Sequence, residues 1–205
     1  MPTTPLTSES ARTLIDALRT ADVPTQATLL AQLVPWLSRA SMADIRSAGW
    51  PMRRDSEPLL LLSLPSGMLS IQRTPADLRA VLWARWGHGG SVVWLDGREI
   101  DVPRDPDDGE PRTEESGAWV TDHVYAIEVA PRDHPLADWS RDFSGRQYGL
   151  LIADARTGRS RLEMPGPTER WESPRLSEGA GGTWRLFADA DAADAGRVAR
   201  TVPAF

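Results

Sequence analysis

The sequence predicts an α+β fold: an N-terminal helical layer, then a mostly antiparallel sheet of about five to seven strands with one further helix. Three observations carry this expectation. Apolar residues recur at helical spacing over 8–49, short apolar runs bounded by turn residues replace that pattern from 59 onward, and Asp96-Gly97 supplies a strong hairpin signal.

Taking the elements in order, Ala11, Leu14, Ile15 and Leu18 form one helical stripe, with Arg12, Asp16 and Arg19 on a polar face. Asp22 is placed to cap a second helix entered through Pro24. That helix buries Leu29, Leu30, Leu33, Trp36 and Leu37, and Pro35 bends it. Ser41 caps a short third helix that turns Ala43, Ile45 and Ala48 inward and stops at Gly49. Residues 50–58 read as a polar linker. Two strands, 59–64 and 68–72, flank the turn Pro65-Ser66-Gly67. Thr74-Pro75-Ala76-Asp77 carries a cap, a first-turn proline and an acid, so the pattern predicts a helix from there to Trp86.

From 91 the expected structure is β: hairpins over 91–102 and 148–164, one strand or a bent pair over 118–129 with Asp122-His123 at the bend, and a last strand over 183–188. The stretches 103–117 and 165–182, rich in Pro and Gly with acids in the first and Ser in the second, read as irregular or disordered. The predicted organisation is a helical segment 1–49, an α+β body 50–188 and a flexible tail 189–205, together one compact domain of 205 residues.

Composition excludes much chemistry. All 23 basic side chains are arginine, and the chain contains no lysine, asparagine or cysteine. Lysine Schiff bases, the GxxxxGK[ST] phosphate loop, thiolate catalysis, disulfides and zinc ribbons are therefore ruled out. GC-rich codon usage is the simplest origin of these absences, and a bacterial source is the default expectation. A net charge of −6 argues against general binding to nucleic acid or to an anionic membrane. The longest aliphatic run is 59–62, too short to span a bilayer, and 1–10 has no basic side chain to open a secretory signal. A cytoplasmic protein is the expectation.

Of three histidines, His88 sits among glycines that match neither a dinucleotide fingerprint nor a phosphate loop. Asp122-His123 and Asp133-His134 each set a carboxylate beside an imidazole. With Arg146 as an anion clamp, the set His123, Asp122, His134 and Arg146 is the candidate catalytic group of an enzyme or small-ligand protein. No HExxH, GxSxG or EF-hand spacing accompanies it, and turn residues are the simpler reading. The acids Asp105, Asp107, Asp108, Glu110, Glu114 and Glu115 read as a solvated loop, so no metal and no cofactor are expected.

Nine tryptophans are the remaining oddity. Trp36, Trp83, Trp94 and Trp119 fall on core faces. Trp50, Trp139 and Trp171 lie in loop-like contexts, where each folds back onto the body or, with Arg141, anchors a partner protein. The leading expectation is a soluble, acidic protein-binding module without catalytic activity, such as an adaptor, complex subunit or immunity-type inhibitor. Its partner would be a protein, basic if charge steers the encounter.

Overall fold

A computed structural model describes residues 6–86, 91–104, 113–130 and 147–205. The α+β class holds, but the β structure forms three antiparallel sheets rather than one. The chain divides into two compact units, Met1–Ile100 and Asp101–Phe205. The helical segment is no separate layer ending at 49, because its apolar stripe shares a core with the strands that follow it.

In the first unit, α1 (Ser8–Leu18) starts at Thr7, whose hydroxyl accepts the Ser10 N–H at 3.2 Å, and buries Ala11, Ile15 and Leu18. Helix α2 (Val23–Leu37) is capped by Asp22, which accepts the Thr25 N–H at 3.0 Å, and it contains Pro35. Helix α3 (Met42–Ser47) is capped by Ser41. Gly49 then takes a φ of +90°, a backbone state that suits glycine. The buried Gln26 side chain joins two elements: its amide donates to Leu18 O at 3.0 Å and its carbonyl accepts from the Ser66 hydroxyl.

Five strands follow as a meander in the order β1-β2-β3-β4-β5: β1 (Leu59–Leu64), β2 (Gly67–Arg73), β3 (Arg79–Arg85), β4 (Ser91–Leu95) and β5 (Arg98–Glu99). Alternate residues of one face, Leu60, Leu62, Leu69, Ile71, Val81 and Trp83, pack with the helices around the buried Trp50. The last turn is the one the sequence announced, with Asp96 and Gly97 at φ +47° and +78°.

The helix expected from Thr74 to Trp86 is instead strand β3. Thr74 O accepts the Asp77 N–H, its hydroxyl accepts the Leu78 N–H, and Asp77 adopts φ +59°, closing a turn that no helix can contain. Pairing with β2 and β4 on both sides, and burial of both faces, outweigh the cap-like start. Arg79, only 2% exposed, satisfies the end of α2 by donating to Leu37 O at 2.6 Å and Ala40 O at 2.7 Å, with Asp77 3.0 Å away on its other nitrogen.

The second unit has a four-stranded sheet, β6 (Thr113–Trp119), β7 (Val124–Val129), β8 (Gly149–Asp154) and β9 (Ser160–Glu163), and a three-stranded sheet, β10 (Arg175–Glu178), β11 (Thr183–Phe187) and β12 (Arg200–Pro203). The bend at Asp122-His123 joins β6 to β7 as expected. The 103–117 and 165–182 stretches, however, contain β6 and β10. The tail is likewise no solvated arm: Asp189 caps α4 (Ala190–Asp194), and β12 pairs with β11. Apolar packing explains β10 and β12, because Val124, Ala126, Leu150 and Ile152 of one sheet share a core with Trp171, Trp184, Leu186 and Val202, with Leu176 packed against it, while β6 is held by its pairing with β7. Among the described residues no helix is long and apolar enough to cross a membrane.

Candidate functional site

The two sheets of the second unit are treated differently along their two sides. On the β9/β12 side, Arg200 donates to Glu163 at 3.3 Å, to Met164 O at 3.1 Å and to Glu169 at 3.0 Å, and its guanidinium lies 5.3 Å from the Trp171 ring centre. Arg161 adds a 2.9 Å pair with Glu163 and a 2.6 Å bond to Pro203 O. Charge-assisted bonds therefore tie that side shut.

On the β6/β10 side a groove of about 690 Å³ remains open, lined among others by Trp119, Ala126, Glu128, Arg175, Leu176 and Glu178. Strand periodicity accounts for its carboxylate. Glu128 follows Val124 and Ala126 on the core-facing side of β7, so the alternation that buries those two brings an acid to the end of the same face. Its Oε1 accepts from the Ser173 hydroxyl and from Arg175 Nη1, both at 2.9 Å. The Ser177 hydroxyl oxygen is buried and has no hydrogen-bond partner among the described residues. Trp119 packs edge-on against the buried Tyr125, with ring centres 5.3 Å apart and planes at 74°. The groove therefore combines an apolar wall with a carboxylate held in place by Ser173 and Arg175.

The Asp122-His123 pair does interact, because both residues sit in a turn and not on a strand. Asp122 Oδ1 is 2.5 Å from His123 Nδ1, and Asp122 Oδ2 is 2.6 Å from Arg156 Nη2. The hydrogen bond to His123, helped by the nearby Arg156 charge, holds the Asp122 carboxyl below its usual range. The cluster is solvated, with Asp122 and Arg156 about half exposed, and it lines neither the groove above nor the shallower cavity of about 410 Å³ beside Arg104 and Leu162. Its hydrogen bonds link two neighbouring turns, and the backbone repeats the link through Ala155 N–H to His123 O at 2.9 Å. Among the described residues no group of three His, Cys, Asp or Glu is placed to hold a metal ion.

Of the three loop-context tryptophans, Trp50 and Trp171 take the first of the two expected readings, folding back into the core and not standing exposed as anchors. Trp50 is 2% exposed within the helix–sheet core, and Trp171 is 1% exposed between the two sheets of the second unit, its backbone N–H donating to Gln147 Oε1 at 2.9 Å. Each ring folds inward because that buries a large apolar area. His88, His134, Trp139, Arg141 and Arg146 lie outside the described residues. Sequence reasoning missed Glu128, Arg175 and Ser177. The available signal was the single acid interrupting the apolar run Val124-Tyr125-Ala126-Ile127-Glu128-Val129.

Comparison of the chain with protein-family models finds no match, and comparisons with curated proteins and with solved structures find none either.

Proposed function

We propose that the protein is a protein-binding module that seats a basic, partly apolar segment of a partner in the groove between β6, β7 and β10. The observation that carries this reading is the asymmetry of the second unit, tied shut along one side by Arg161 and Arg200 and open along the other beside Glu128 and Glu178. Glu178 is exposed at the groove while Glu128 already holds Arg175, so an added cation has a carboxylate to meet and Trp119 and Leu176 offer apolar contact. The net charge of −6 would speed encounter with such a partner.

The test is selection of random twelve-residue display peptides on the full chain, with a Leu176→Arg variant as counter-selection. Enriched peptides should pair Arg or Lys with an apolar neighbour, and their affinity should fall with added salt. Peptides that bind wild type and Leu176→Arg equally would remove the groove from the argument.

A further inference from the structure

Among the described residues the sheets end in six edge strands, and five of them carry a feature that discourages pairing with another chain. Strand β5 is two residues long and both are charged; β9 and β10 each carry an Arg and a Glu; β12 carries Arg200 and Pro203; β6 has an irregular register between Thr113 and Gly117. Short length, charge, proline and bulges are the usual means by which sheet edges avoid joining. Strand β1 has none of them: it reads Leu-Leu-Leu-Leu-Ser-Leu, and its register with β2 is regular from Leu59↔Gln72 to Leu64↔Gly67. No charged residue occurs anywhere from 58 to 72.

The backbone direction of this edge follows from one bond. Arg73 N–H donates to Pro58 O at 2.8 Å, so the directly opposed pairs Leu60/Ile71, Leu62/Leu69 and Leu64/Gly67 exchange the bonds with β2. The N–H and C=O groups of Leu59, Leu61 and Ser63 therefore point away from the sheet. All three residues are exposed, with Leu59 at 45% and Leu61 at 47%. Proline ends the run on either side: Pro65 lacks the N–H that would extend the outward row, and Pro58 precedes it. Just before it, Glu57 Oε1 accepts the N–H groups of Arg53 and Arg54, folding the chain into a turn.

We infer that β1 is a self-association edge whose occupant is β1 of a second copy of this chain, joined antiparallel about a two-fold axis at Leu61. The outward groups then pair Leu59 with Ser63 of the other copy and Leu61 with its own counterpart, and the two five-stranded sheets become continuous. Charge selects this occupant. A chain of net charge −6 repels its own copies across most of its surface, and β1 is the edge where neither copy brings a charge. A basic partner would gain nothing from this edge, whereas an identical uncharged strand of equal length satisfies every outward group.

The experiment is sedimentation velocity of the full chain up to high micromolar concentration, with variants at the axis. Wild type should shift with concentration from 22.5 kDa toward twice that mass. Leu61→Lys, which sets two ammonium groups side by side at the axis, should stay monomeric with an unchanged melting temperature, since the replaced side chain is half exposed. Because the chain has no cysteine, Leu61→Cys introduces a unique thiol, and mild oxidation should join two copies far faster than it does for Arg98→Cys on the opposite edge. Wild type that remains monomeric throughout, Leu61→Lys that dimerises like wild type, or equal crosslinking of the two cysteine variants would each overturn the inference.

Discussion

The Arg200 guanidinium lies 5.3 Å from the centre of the Trp171 ring while its two terminal nitrogens reach Glu163 and Glu169. One side chain of β12 therefore secures a buried indole and two carboxylates at once. Replacing Arg200 with Leu should lower the stability of the second unit by about 1–2 kcal/mol, and Arg200→Lys should recover part of the loss by keeping the charge without the planar fork. Urea unfolding followed by tryptophan fluorescence measures it; an Arg200→Leu variant as stable as wild type would show that the network is only a surface arrangement.

Arg79 makes a stronger case because it is almost wholly buried. Arg79→Met keeps the bulk but leaves the carbonyls of Leu37 and Ala40 without their donor, at a cost of about 2–4 kcal/mol. The loss should register as a lower urea midpoint, and a change within error would mean that water replaces the guanidinium.

Gly117 is fixed by its neighbour on β7. A Cβ placed there would lie 2.6 Å from the Tyr125 hydroxyl oxygen and 2.7 Å from its ring, and Tyr125 is fully buried. Gly117→Ala should cost about 1–3 kcal/mol and alter the near-UV circular dichroism that reports the Trp119–Tyr125 edge contact. An unaltered spectrum would mean that the ring yields without leaving Trp119.

Asp122 should contribute to acid sensitivity with a defined sign. Its folded carboxyl titrates below the ordinary value of 3.8, held down first by the His123 hydrogen bond. The folded state therefore binds the proton less readily than the unfolded state, and the stabilisation is complete above 3.8 and lost as pH falls through the lower folded value. The stability gap between wild type and Asp122→Asn should be widest near neutral pH and close in strong acid. A gap independent of pH, measured by urea unfolding at several pH values, would assign the effect of the variant to packing.

The helical elements and the sharp hairpins were legible because their signals are local. Asp22 and Ser41 cap the helices they precede, and Asp96-Gly97 turns with positive φ at both residues. Thr74-Pro75-Ala76-Asp77 misleads for a physical reason: a hydroxyl that accepts a backbone N–H a few residues later serves a turn as well as a helix, and only the pairing of β3 with β2 and β4 decides between them. Strands β10 and β12 are only four residues long, and their charged or proline residues hide a contribution to the core that comes from Leu176 and Val202. The groove was illegible for a related reason. Glu128 and Arg175 meet across two sheets, and neither has a sequence neighbour that announces the other.

Among the described residues every strand pairing in the first unit joins neighbours along the chain, so its sheet can assemble one hairpin after another with little loop-closure entropy at each step. The helices, which precede β1 in the sequence, must then dock on one face of that sheet. Until they do, the Leu60, Leu62, Leu69 and Ile71 face would stand open to water, so docking of α1–α3, more than the zippering of strands, is the stage at which this unit should be vulnerable to aggregation.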